Sequence, residues 1–220
     1  MDNALIVVAK RPTPGNTKTR LIPPLTPAQA ADLYNCLLFD TLDVMRYVDS
    51  AQPVIAYAPA DAGSYFRGIA PPGFELIAQH GQNLGQRLDN VLRAHLKQGY
   101  VRTVVMNSDS PTLPPEYLQQ AFEHLADEQV DVVVGPCADG GYYLIGLKRP
   151  CSTLFDVVMS TPTVLQETLQ RAHEEGLRTV CLPAWYDVDW PKDLERLRGE
   201  LDRLPAHRAP RTRDLLASWR

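Results

Sequence analysis

The residues of this chain best placed to do chemistry are acids spaced to share a cation and cations spaced to hold an anion. In the run Tyr186-Asp187-Val188-Asp189-Trp190-Pro191, two aspartates stand two apart. In an extended segment they point the same way. Two acids on one face repel unless a cation sits between them. Magnesium is commonly bound by one or two carboxylates together with waters and phosphate oxygens. The competing role is that of turn and helix-start acids. With Pro191 opening a helix, however, Trp190 occupies the capping position and has no side-chain acceptor, which leaves Asp189 free. A third acid, Asp109 in Val104-Val105-Met106-Asn107-Ser108-Asp109-Ser110-Pro111, follows an apolar run. The next helix start, at Pro114 or Pro115, is too far on for Asp109 to cap it. Asp109, Asp187 and Asp189 are therefore the expected metal ligands, for Mg²⁺ or Mn²⁺.

The cations lie in the segment Ala9–Leu21, where Lys10, Arg11, Lys18 and Arg20 occur without an intervening acid. Prolines stiffen this loop and Gly15 lets it turn. Backbone N–H groups plus lysine and arginine after a first strand can hold phosphates; a solvated basic loop is the plainer alternative. The pattern is not a P-loop, because G-x-x-x-x-G-K-[ST] is absent. Arg87, in Leu84-Gly85-Gln86-Arg87-Leu88, falls in the first turn of a helix, an unfavourable place for a cation unless an anion binds there; surface exposure accounts for it almost as well. In Asp139-Gly140-Gly141-Tyr142 the glycines either make a hairpin turn or let a ligand approach the backbone. Gly140, Gly141 and Tyr142 are expected at the acceptor, with Asp139 as a general base or acceptor-binding group.

These segments need a scaffold that gathers them. Strands are expected at Ala4–Ala9, Pro53–Ala58, Phe74–Ala78, Val101–Met106, Asp131–Gly135, Tyr142–Leu147 and Arg178–Leu182. Helices are expected from Pro27 behind a Thr26 cap, over Asp61–Ile69, Leu84–Lys97 and Pro115–Asp127, from Thr161 to Gly176, and over Pro191–Leu204. Alternating strands and helices predict an α/β fold with a mostly parallel sheet covered on both faces, made mixed by the late hairpin. Ligands in such sheets sit beyond the carboxyl ends of the strands, which is where these segments fall. No linker or repeat divides the chain. Residues 1–204 are read as one domain, and residues 205–220 as a basic tail, either a solvated helix or a frayed end.

Composition narrows the classes. The charge is −4, from 22 Lys and Arg against 26 Asp and Glu, which does not favour a nucleic-acid partner. The longest clean apolar run, Ala4–Ala9, is far short of the ~20 residues of a membrane span, and no secretory signal opens the chain. Cys36, Cys137, Cys151 and Cys181 make no C-x-x-C pair, and no H-x-H or H-x-x-x-H occurs, so a zinc site is not expected. Reduced thiols in a cytoplasmic protein are the reading.

As a set, A-K-R-P-T-P-G-N-T-K-T-R-L, L-G-Q-R-L, S-D-S-P-T-L-P, D-G-G-Y-Y-L-I-G-L, S-T-P-T-V-L and Y-D-V-D-W-P-K-D-L resemble the bacterial GT-A-type glycosyltransferases often labelled as arsenosugar-biosynthesis enzymes. The chain is also similar to guanylyltransferases acting on phospholactate or phosphoenolpyruvate. The resemblance implies a Rossmann-like nucleotide-diphospho-sugar transferase (GT-A) fold. It implies metal binding at Asp109, which matches a D-x-D-like motif, and at Asp187 and Asp189. It maps Lys18 and Arg20 onto the phosphate-binding positions. Two differences stand out: the first loop is proline-rich rather than glycine-rich, and Ser108-Asp109-Ser110 carries one acid where D-x-D carries two. The expected function is a metal-dependent transferase moving a sugar from a nucleotide-sugar to a small acceptor. The alternatives are nucleotidyl transfer from an NTP to a phosphorylated small molecule, releasing pyrophosphate, and non-catalytic nucleotide binding. Base, sugar, acceptor and oligomeric state are not specified.

Overall fold

The computed structural model describes residues 2–219. One sheet is built from β1 Asn3–Lys10, β2 Ala51–Ala58, β3 Glu75–Ala78, β4 Arg102–Met106, β5 Val132–Pro136, β6 Tyr142–Leu147 and β7 Thr179–Cys181. Its spatial order is β3-β2-β1-β4-β6-β5-β7. All neighbours are parallel except those of β6, which runs antiparallel to both β4 and β5. The helices are α1 Pro27–Met45, α2 Gly63–Ile69, α3 Leu84–Lys97, α4 Pro115–Ala126, α5 Val164–Glu174, α6 Pro191–Leu201 and α7 Pro210–Ser218. Among the described residues no helix is long and apolar enough to cross a membrane.

Side-chain alternation along the central strand divides the core. Leu5, Val7 and Ala9 of β1 join Leu38 and Leu42 of α1, Phe66 of α2 and Leu118 and Phe122 of α4 on one face. Ala4 and Ile6 join Leu88, Val91 and Leu92 of α3 and Ala172 of α5 on the other. Each such side chain fully buried contributes about 1.5–3 kcal/mol. Helix α1 starts as expected: Thr26 Oγ1 accepts from Gln29 N, and Gln29 Oε1 accepts from Thr26 N in return.

The antiparallel β6 has a consequence for the site. Because β1 and β4 are parallel, their carboxyl ends share an edge; because β6 is reversed, its first residue, Tyr142, lies at that same edge. The turn from Cys137 to Gly141 therefore opens beside the tips of β1 and β4.

Two expectations need correction. The segment holding Asp187 and Asp189, expected just beyond the carboxyl end of its strand, does not sit at the end of β7. β7 lies at the sheet's margin, partly exposed, with β5 and β6 between it and β4. The chain then runs back across the strand tips. Trp185 pairs with Cys137, Trp185 N donates to Pro136 O, and Val188 N donates to Asp109 O at 3.1 Å. The segment after Pro205, open in the sequence between a solvated helix and a frayed end, is a helix packed against the rest of the chain. It forms α7, whose first N–H groups are capped by the buried Asp40 of α1: Thr212 N donates to Oδ2 at 2.8 Å and Arg211 N to Oδ1 at 3.3 Å. Ala209 and Leu216 enter a third core cluster with Leu21, Leu33 and Leu37, with Tyr186 and Val188, and with Leu194 and Leu197. This cluster lies beneath both the basic loop and the Asp187–Asp189 segment.

Candidate metal and nucleotide site

The loop after β1 folds back on itself. Thr13 N donates to Thr17 Oγ1 at 3.0 Å and Asn16 N to Thr13 O at 3.1 Å, with Gly15 at φ 79°. Lys18 then takes a left-handed conformation, φ 50°, ahead of a single 3₁₀ turn, Thr19–Leu21, anchored by fully buried Leu21. A non-glycine residue is strained there, and such strain persists where surrounding structure enforces it. Here it directs Lys18 toward the strand tips.

Asp109, three residues beyond Met106 at the end of β4, is held at its backbone by Val188, and Ser110 Oγ donates to Tyr186 O at 2.9 Å. Val188 is fully buried between Asp187 and Asp189, so both acids face the cleft, as the two-residue spacing predicts. Asp193 fixes the end of the segment: its Oδ2 accepts from Trp190 N at 2.7 Å and Asp189 N at 3.2 Å.

Asp109, Asp187 and Asp189 each present one carboxylate oxygen within 4.8 Å of the others. Lys18 Nζ lies 2.5 Å from Asp109 Oδ2 and 2.6 Å from Asp189 Oδ1, and Arg20 Nη1 lies 2.9 Å from Asp189 Oδ2. Asp187 makes no hydrogen bond or ion pair among the described residues. Asp109 Oδ1 is buried without a partner.

Electrostatics follow from this unequal pairing. Burial works to lower the Lys18 pKa, but the charges of Asp109 and Asp189 outweigh it and hold the ammonium charged well above its usual range. Burial opposes ionisation of Asp189, yet Lys18 and Arg20 bring it below the usual carboxylate value. Asp109 is raised, chiefly by burial, despite Lys18. Asp187, half-buried and facing both other acids without a cation of its own, is pushed up to about 7, first by burial and then by the charges of Asp109 and Asp189.

The residues fit a hard divalent cation. Three carboxylates converge, one of them has an orphaned buried oxygen, and another is unpaired. Cys137, Asp139 and Asp187 also converge within 4.8 Å, so Asp187 belongs to both groups.

These groups wall a cleft of about 800 Å³ together with Lys10, Arg87, Gly141 and Tyr142. Arg87 is oriented by its Nε donating to Gly81 O at 3.2 Å. Asp139 is exposed, with Oδ1 accepting from Gly141 N at 2.9 Å. Gly15 and Gly140 do not line the cleft; they shape its turns. Gly140, φ 91°, packs so closely that a Cβ would lie 1.9 Å from Pro162 O.

Sequence reasoning missed two members of the cleft. Tyr34 of α1 takes a hydrogen bond from Lys10 N at 3.0 Å and pairs with Ser108 Oγ at 2.8 Å, tying the tips of β1 and β4 together. Its place within a helical apolar pattern conceals that role. Cys137 reads as an inert thiol, though its position two residues before Asp139 was a usable signal.

The family model for uncharacterized proteins conserved in bacteria, DUF2064, matches residues 41–161. A crystal structure from Desulfovibrio desulfuricans G20, provisionally named a nucleotide-diphospho-sugar transferase, is 32% identical with a TM-score of 0.90. The match covers 99% of this chain and 94% of that one. A CMP:2-keto-3-deoxy-manno-octonic acid synthetase complexed with CTP is 15% identical, TM-score 0.59, over 92% of this chain and 99% of that one. Rv0371c from Mycobacterium tuberculosis H37Rv, in complex with manganese, is 19% identical, TM-score 0.53, over 90% and 98%. No curated protein matches. The fold is that of the nucleotide-diphospho-sugar transferases.

Proposed function

We propose, for a chain that belongs to the DUF2064 family of proteins conserved in bacteria, a divalent-metal-dependent transfer of a sugar from a nucleotide-sugar to a small acceptor. The observation carrying this reading is the convergence of Asp109, Asp187 and Asp189 beside the cations of the first loop, within one cleft at the strand tips.

Charge separates the two transferase readings. Lys10, Lys18, Arg20 and Arg87 face Asp109, Asp139, Asp187 and Asp189, four charges against four. One divalent cation leaves a surplus of two positive charges, which matches the roughly two negative charges of a nucleoside diphosphate ester and falls short of the about four of a nucleoside triphosphate. The cationic loop looks richer in the sequence than it is in the fold, because Lys18 and Arg20 are spent on acids.

Asp109, Asp187 and Asp189 would hold Mg²⁺ or Mn²⁺, which when bound supplies charge stabilisation to the departing diphosphate. Lys10, Lys18, Arg20 and Arg87, which all line the cleft, meet the phosphate oxygens. Gly141 N fixes one oxygen of Asp139, leaving the other to take the proton of an acceptor hydroxyl. Gly141 and Tyr142 bound the acceptor side.

One observation favours the second reading, nucleotidyl transfer from an NTP. The Cys137, Asp139 and Asp187 cluster shares Asp187 with the first, and a second divalent ion there would supply the charge a triphosphate needs.

A thermal-shift panel of NTPs and nucleotide-sugars, each with and without Mg²⁺ or Mn²⁺, tests these readings. A ligand at 100 times its Kd stabilises by about 2.7 kcal/mol. A metal-dependent shift with a nucleotide-sugar is expected. A larger shift with an NTP than with every nucleotide-sugar reverses the assignment, and no shift with any nucleotide refutes both.

A further inference from the structure

Lys18 is tied into the candidate metal site itself. Its ammonium stands 2.5 Å from Asp109 and 2.6 Å from Asp189, close to the 2.0–2.6 Å of metal–oxygen bonds. Two of the three converging carboxylates therefore already aim at a cation. A divalent ion held by these two carboxylates would stand close beside the ammonium, and two neighbouring cations repel strongly in a partly buried site. We propose that Lys18 is a resident cation of the cleft: its ammonium and the divalent metal are alternative occupants of the Asp109–Asp189 pair. The proposal rests on the metal reading above.

The surroundings define what exchange requires. The Lys18 side chain is only 5% exposed, so an ammonium displaced from its carboxylates needs a new partner. Tyr34 lies near, its ring centroid 6.0 Å from Nζ, but its hydroxyl is already engaged by Lys10 N and Ser108. Phosphate oxygens entering the cleft would supply that partner. Arg20 poses no comparable barrier: it is 44% exposed and can turn toward solvent. Metal alone must thus eject a buried cation, whereas metal arriving with phosphate lets Lys18 change partners. Lys18 makes the site discriminate against free metal in favour of metal–phosphate.

The test is Mn²⁺ binding to nucleotide-free protein, read from the free-Mn²⁺ electron paramagnetic resonance signal. Wild type is compared with Lys18→Met, Lys18→Gln and Asp109→Asn, each checked for folding by circular dichroism. Two Lys18 variants are used because one of them can fail to fold. Removing the ammonium is expected to tighten Mn²⁺ binding at least tenfold, and adding Asp109→Asn to Lys18→Met to abolish the gain. With the manganese–pyrophosphate complex as titrant in calorimetry, the order reverses and Lys18→Met binds more weakly than wild type. Lys18 variants that bind free Mn²⁺ no tighter than a wild type that does bind it overturn the exchange and leave the metal reading standing. Tighter binding of the pyrophosphate complex by Lys18→Met overturns the partner switch. Absence of Mn²⁺ binding in every protein, with and without pyrophosphate, overturns the metal reading and the exchange together.

Discussion

Asp187→Asn should stabilise the metal-free protein at alkaline pH and not at acid pH. Burial, and then the charges of Asp109 and Asp189, push the Asp187 carboxyl up to about 7 from its usual 3.8. Below 3.8 it is neutral in both the folded and unfolded chain and contributes nothing to their difference. As pH rises from there, the unfolded chain ionises while the folded one retains the proton, so stability is lost until about pH 7. At about 1.4 kcal/mol per pH unit, the folded protein carries a cost on the order of 4 kcal/mol above pH 7, and about 1.6 kcal/mol at pH 5. Asparagine keeps the shape and removes the charge, but leaves a buried amide that costs about 1–3 kcal/mol. The amide cost is the same at both pH values and cancels in the comparison. The stability of Asp187→Asn relative to wild type should therefore rise by about 2–3 kcal/mol between pH 5 and pH 8. Urea unfolding in the presence of a chelator measures it. An equal difference at the two pH values would show that the acids do not repel in the folded state, and the electrostatic account of the cluster would fail.

Two further substitutions probe the scaffold. Gly140→Ala combines a φ of 91° with a Cβ 1.9 Å from Pro162 O, so a loss of about 3 kcal/mol or more is expected by urea unfolding. Gly15→Ala, φ 79° with nothing within 4 Å, should lose only the about 1–2 kcal/mol of left-handed strain; equal losses at the two glycines would contradict the packing argument. Asp40→Ala removes the cap of α7 and leaves Arg211 and Thr212 N–H groups without their acceptor, for a loss of about 2 kcal/mol and a Tm lower by about 4–8 °C. An unchanged Tm would mean that α7 is not docked through Asp40.

Much of the site was legible because its signals are local. The two-residue spacing of Asp187 and Asp189 sets their common direction in any extended segment, and buried Val188 between them completes the alternation. The lack of a cap role for Asp109 followed from its distance to Pro115, and α4 indeed begins there with Pro114 at its cap. Hydrophobic period and turn residues located all seven strands, since these depend on each segment's own burial and turn chemistry.

What depended on pairing between distant segments was not readable. The order of strands, and the return of residues 183–189 over the tips of β5 and β6, arise from hydrogen bonds to Pro136, Ala138 and Asp109 that leave no local pattern. The segment after Pro205 looked like a solvated basic tail because its few apolar residues find their partners only in α1 and α6, and its cap only in Asp40. The charge state of the cleft was hidden for the same reason. Sequence by itself determined which residues are cations and which are acids, and placed the basic loop and Asp109 just beyond the ends of β1 and β4. Only the tertiary structure decided that Lys18 and Arg20 spend their charge on Asp109 and Asp189 while Asp187 has no partner, because an electrostatic interaction depends on distance and burial, and the chain separates these residues widely.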